Sequence, residues 1–183
     1  ADELCKRASV LDPTDADVWA TWSNVHTWYL YHGLDSSTAR REVARDATVR
    51  AMQLNPKSFE ARFAQALWWT RGAPASQKTK GSGQQCQDAD QLFRELLAEN
   101  PGEPRVLFNL GFLCAWHGKR EEGLQLLAQA AANPDYAAVA WQEHGWYHIF
   151  QGNYREAELS ADRSIAVKPY WNNLSLKILL ALA

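Results

Sequence analysis

Residues 101–134 read PGEPRVLFNLGFLCAWHGKREEGLQLLAQAAANP, and residues 135–169 read DYAAVAWQEHGWYHIFQGNYREAELSADRSIAVKP. The two stretches carry one pattern twice. In the second, Trp141, His144, Gly145 and His148 recur at the three- and four-residue spacing that places them on one helix face. Gly152 then breaks the helix, and Asn153 is placed to cap the next one. On that next helix Ala157, Ala161 and Ser164 form a stripe of small residues, and Pro169 closes the copy. The first copy gives Leu107, Leu110, Gly111 and Cys114, then Gly118, then Gly123, Leu127, Ala130 and the closing Pro134. Two antiparallel helices approach closely only where one side of each contact is small. Gly111 and Gly145 leave room for the second helix of each hairpin, and Gly123 and Ala157 leave room for the first.

This pattern resembles the tetratricopeptide repeat, whose signature is W-x2-L-G-x2-Y, A-x3-F and a closing Pro over about 34 residues. Trp141, Gly145, Ala157 and Pro169 match it directly, while His144 and His148 stand where the family has Leu and Tyr. The resemblance implies an all-α solenoid of helical hairpins wound as a right-handed superhelix. Such arrays act as protein-binding scaffolds, and each repeat packs only on its neighbours.

The rest of the chain reads as looser copies. Residues 1–13 are the second half of a repeat, with Ala1, Cys5 and Ala8 on one face. Residues 14–56 form a full repeat, capped by Asp15, with Trp19, Trp22, Ser23 and His26 at the spacing of Trp141 to His148 and Ala44, Thr48 and Ala51 on its second helix. Pro13 to Pro56 is 43 residues, so this repeat carries longer helices or a longer turn than the family. Residues 57–101 form another repeat, in which Arg62 and Gln65 occupy places expected to be apolar. Its polar, Gly- and Ser-containing stretch 71–87 is expected to be a mobile loop. Residues 102–134 and 135–169 are the two clear repeats, and 170–183 is a first helix with nothing after it. About ten helices result, in a single array over 1–183. Sustained period-two alternation is absent, so no strands are expected.

Composition narrows the function. A net charge of −2 over 183 residues gives no electrostatic footprint for nucleic acid or an anionic membrane surface. No apolar run approaches the roughly 20 residues of a membrane-spanning helix. Cys5, Cys86 and Cys114 are odd in number and form no CxxC, which fits a reducing compartment and a cytoplasmic location. No phosphate loop or nucleophile elbow occurs, so neither an enzyme nor a cofactor is expected. The chain starts without Met, inside an expected helix, and reads as a piece of a larger protein.

The inner face of such an array is lined by first-helix residues turned away from the partner helix. These are Asn24, Trp28, Phe63, Leu67, Arg105, Phe108, Phe112, Trp116, Gln142, Trp146, Ile149 and Phe150. Exposed apolar patches mark interaction sites, and aromatic anchors dominate interface energetics. The expectation is therefore a groove for a peptide or amphipathic helix, with these rings also free to pack adjacent repeats together. A subclass of the family grips C-terminal carboxylates with basic and Asn residues. Here Asn24, Arg105 and Asn109 are its only counterparts, and Ala20 and Ala64 fill two of its places, so that clamp is not expected. His144 and His148, four apart, have the spacing of a bidentate metal pair, but their core-facing positions favour buried or partly buried histidines bonded to a carbonyl. A regulatory or spacer segment inside a signalling or transcription protein is the other reading. Open apolar faces on helices 1–11 and 170–183 lead us to expect end-to-end self-association.

Overall fold

A computed structural model describes residues 1–72, 82–169 and 171–182. Among them are ten α-helices and no strand. They divide into two compact units, Ala1–Glu99 and Asn100–Ala183. The first holds α1 (Asp2–Leu11), α2 (Ala16–Tyr31), α3 (Thr38–Leu54), α4 (Phe59–Leu67) and α5 (Ser82–Glu99), with a π turn at Trp68–Gly72 after α4. The second holds α6 (Pro104–Trp116), α7 (Arg120–Ala130), α8 (Pro134–Phe150), α9 (Tyr154–Val167) and α10 (Trp171–Leu182).

Helices pair as α2/α3 and α4/α5 in the first unit, and as α6/α7 and α8/α9 in the second. Each later first helix then rests on both members of the hairpin before it: α4 on α2 and α3, α8 on α6 and α7, α10 on α8 and α9. This is the stacked-hairpin arrangement that the resemblance to the tetratricopeptide repeat implies. The extra length of the 14–56 repeat goes into its helices, since α2 and α3 have 16 and 17 residues against 13 and 11 in α6 and α7.

Local chemistry sets the helix ends. The Asp15 carboxylate accepts from the backbone N–H groups of Asp17 (2.8 Å) and Val18 (3.4 Å). Ser37, Ser58, Glu103 and Asn133 cap α3, α4, α6 and α8 in the same way. Capping oxygens matter because the first turn of a helix has no internal acceptors for its N–H groups. The turns after α6 and α8 need glycine. Gly118 (φ 90°) and Gly152 (φ 73°) are left-handed, which lets Lys119 N–H reach the Cys114 carbonyl and Asn153 N–H reach the His148 carbonyl, both at 2.9 Å.

The seams bear out the small-residue reading. A Cβ on Gly123 would lie 2.3 Å from Ala115 N, and one on Gly111 would lie 2.9 Å from Leu127 N. A Cβ on Gly145 would meet the Ala157 carbonyl at 3.4 Å and Leu176 of α10 at 2.7 Å. Ala157 and Ala161 are fully buried. Close backbone approach then lets Leu110, Leu113 and Leu127 fill the interior, each contributing about 2 kcal/mol by leaving water.

Four expectations need correction. Pro134 does not close a unit; it is the first residue of α8, where its missing N–H costs nothing. Asn153 stands at the α9 N-cap, but its side chain makes no capping bond there. The stretch 71–87 is not one loop. Arg71 and Gly72 belong to the π turn, residues 82–87 with Cys86 form the start of α5, and 73–81 lie outside the described residues. Arg62 holds its place in the seam without being apolar, because its guanidinium makes a bidentate pair with Glu99 at the end of α5.

Candidate functional site

The second unit carries a continuous aromatic surface. On α6, Phe112 and Trp116 are one turn apart with ring centroids at 6.2 Å. On α8, Trp146 and Phe150 repeat that spacing at 6.3 Å. The two pairs meet where Trp116 packs edge-on against Phe150 at 5.2 Å and against Tyr147 at 5.9 Å. Edge-to-face geometry is favourable because the positive rim of one ring meets the negative face of the other. Phe150 is 65 % exposed and Trp116 39 % exposed, while Phe112, Trp146 and Ile149 are half-buried.

The surface is held from behind. Tyr147 is buried, and its hydroxyl accepts from Arg120 Nε at 2.6 Å. The same guanidinium donates to Gln151 Oε1 at 2.7 Å. Arg120 thus ties the start of α7 to the end of α8 and fixes the ring on which Trp116 rests. Neither Tyr147 nor Arg120 stood out in the sequence, because each matters only through a contact made across helices. Next to the rings, Asn109 is buried; its side-chain NH2 donates to the Arg105 carbonyl at 2.7 Å, and its Oδ1 has no donor among the described residues. Asn109, Phe112 and Trp116 share one face of α6 by their spacing.

Other expected site residues fall elsewhere. Phe108 is buried against Tyr136 at 5.9 Å, and Gln142 is buried as well. Arg105 is half-buried, with its Nε donating to Glu103 at 2.8 Å. In the first unit Phe63 is 4 % exposed and packs edge-on against Phe93 of α5 at 5.9 Å, which makes it a seam residue of α4/α5. Leu67 is half-buried. Trp28 is 51 % exposed and lies between Tyr29 (5.5 Å) and His32 (4.4 Å). Asn24 sits one turn before it, and its Oδ1 also has no donor among the described residues.

The histidines belong to the packing. His144 Nδ1 lies 2.9 Å from the Ser160 hydroxyl, and that hydroxyl donates its own proton to the Glu156 carbonyl at 2.8 Å. The ring therefore donates from Nδ1. Burial, helped by His148 and Arg163 nearby, pushes its pKa down to about 4. No group of three His, Cys, Asp or Glu side chains able to hold a metal occurs among the described residues. His26 is buried, where His144 is half-buried, with Arg40 at 2.9 Å from Nδ1 and Asp2 at 3.0 Å from Nε2. An arginine only donates, so Nδ1 accepts and Nε2 carries the proton toward Asp2. No helix among the described residues is long and apolar enough to cross a membrane.

No family model matches the sequence, and no curated protein does. Solved structures do. PilW, described as a widely conserved type IV pilus biogenesis factor, superposes with a TM-score of 0.68 at 16 % identity, over 97 % of this chain and 74 % of that one. PilF of Pseudomonas aeruginosa gives 0.57 at 20 % identity, over 84 % of this chain and 61 % of that one. YrrB, described as a TPR protein with an unusual peptide-binding site, gives 0.48 at 17 % identity, over 97 % and 99 %. At such identities the likeness is one of fold, and the question of what the chain binds returns to its own residues.

Proposed function

We propose that this chain, built of tetratricopeptide-type hairpins, is a protein-interaction scaffold that takes a peptide segment on the aromatic surface of α6 and α8. The observation that carries the reading is the Phe112–Trp116–Phe150–Trp146 surface, whose two best-exposed rings meet each other, with Trp116 resting on a tyrosine bonded by Arg120. Rings held rigidly before binding lose little side-chain entropy when a partner covers them.

Panning a random peptide library against the whole chain, followed by calorimetry with the selected peptides, tests this. Truncating a central aromatic anchor costs about 2 kcal/mol or more, so Trp116→Ala and Phe150→Ala should each weaken binding by roughly 30-fold. Leu159→Ala, at an exposed position on α9, should leave affinity unchanged. Failure to select any peptide, or affinity indifferent to both ring truncations, overturns the reading.

A further inference from the structure

The aromatic surface of α6 and α8 ends at Arg120, the first residue of α7, which is exposed. Its guanidinium makes two hydrogen bonds, and both go to neutral acceptors: Nε donates to the Tyr147 hydroxyl at 2.6 Å and Nη2 to Gln151 Oε1 at 2.7 Å. Arg40, Arg45, Arg62, Arg94 and Arg105 each pair with a carboxylate. No carboxylate pairs with Arg120 among the described residues. Glu121 and Glu122 follow it in the chain, yet neither bonds to it, and Glu122 Oε2 lies 3.9 Å from Cys114 Sγ instead.

This charge stands beside the best-exposed rings. Trp116 packs against Tyr147 at 5.9 Å, and the guanidinium carbon of Arg120 lies 5.8 Å from the same ring. Gln151, its other acceptor, directly follows Phe150. The guanidinium is therefore within about 12 Å of the Trp116 ring, a distance that three or four residues of extended peptide span. The other end of α6 differs. Arg105 lies there with its Nε held by Glu103 at 2.8 Å, so its charge is already answered.

A partner that covers Trp116 and Phe150 also takes water away from Arg120. An unpaired charge loses hydration at a cost, which a carboxylate on the partner offsets. The guanidinium is held by two bonds before the partner arrives, so pairing orders little that is still free. A basic partner meets repulsion at the same point.

We infer that the peptide taken by α6 and α8 is acidic, with an Asp or Glu side chain paired to Arg120 within about four residues of the apolar side chain that covers Trp116 and Phe150. This rests on the reading that the aromatic surface binds a peptide. The rings supply most of the affinity, and Arg120 sets which sequences are chosen.

Selection from two random peptide libraries tests this on the whole chain, one library with every amino acid and one without Asp and Glu. Circular dichroism confirms that each protein variant is folded. The complete library should yield acidic binders whose calorimetric affinity falls on Trp116→Ala, as the peptide reading requires. Replacing the acidic residue of such a peptide by its amide should weaken binding about 5-fold, the effect of an ion pair on an open surface. Arg120→Gln should abolish that difference, and added salt should shrink it. If Arg120 serves only to hold Tyr147, Arg120→Gln weakens the peptide and its amide counterpart equally and the difference persists, which overturns the inference. Binders drawn equally well from the library without Asp and Glu, and still lost on Trp116→Ala, overturn it too while leaving the peptide reading standing. Failure of both libraries to yield any ring-dependent peptide overturns both.

Discussion

The α6/α7 and α2/α3 hairpins reach the same arrangement by different physics. In α6/α7 the helices touch backbone to backbone at Gly111 and Gly123, where no side chain intervenes. In α2/α3 the seam is lined by Ala20, Ala44, Ala47 and Ala51 and is tied at its centre by a buried hydroxyl pair, Ser23 and Thr48, at 2.6 Å. Thr48 donates onward to the Ala44 carbonyl at 2.8 Å, so the Ser23 hydroxyl is the donor within the pair. One seam is specified by absence of atoms and the other by a polar contact that must be made. Steric seams fail abruptly when filled. Polar seams fail by the cost of one unsatisfied group.

That contrast orders the expected effects. Gly123→Val is the most damaging, because its Cβ would fall on backbone atoms of Ala115 that cannot rotate away. Overpacking usually costs about 1–3 kcal/mol where side chains can yield, so a loss above about 3 kcal/mol is expected in urea unfolding. A loss near zero would break the steric account of α6/α7. Thr48→Val strands the Ser23 hydroxyl and should cost about 1–2 kcal/mol, while adding Ser23→Ala should recover part of that loss. A double-mutant cycle with no coupling would break the polar account of α2/α3.

The α8/α9 hairpin mixes both devices, and pH can separate them. Its seam holds glycine at Gly145 and the neutral ring of His144. The ring ionises near 4 when folded and at its ordinary 6.5 when unfolded. The unfolded chain therefore binds more protons across that window, so His144's contribution is intact above pH 6.5 and falls away down to about pH 4. Replacing His144 by Gln should flatten the midpoint of thermal unfolding over that range, and an unchanged slope would assign it to other groups.

The smallest effect concerns the polar part of the attachment of α1. Asp2 accepts from Trp22 Nε1 at 2.8 Å and contacts His26, and these hold its carboxyl below the usual 3.8. A depressed carboxyl stabilises above its unfolded pKa and stops doing so as pH falls below it. Asp2→Ala should loosen α1, seen as faster amide exchange in residues 5–11, with a loss of at most about 1 kcal/mol for so open a contact. Undisturbed exchange would show that α1 is held by its apolar contacts alone.

The hairpin repeat was legible from residues 101–169 because its code is local: turn glycines, capping residues and small residues at helical spacing. Arg62 was legible only as a misfit, since its partner Glu99 lies 37 residues away. The candidate surface was half legible. Trp28, Trp116 and Phe150 are exposed as the spacing suggested, but Phe63 and Phe108 on the same nominal face are buried against Phe93 and Tyr136. Periodicity assigns a residue to a helix face, and it says nothing about whether another ring arrives to cover it.

Sequence alone therefore determined that this chain is helical, that its helices pair, and which small residues lie in the seams, because those features follow from contacts within one repeat length. Tertiary structure decided which aromatic rings remain open and which histidines are neutral. Those properties depend on the distance of closest approach between helices far apart in the chain, and no run of neighbouring residues encodes that distance.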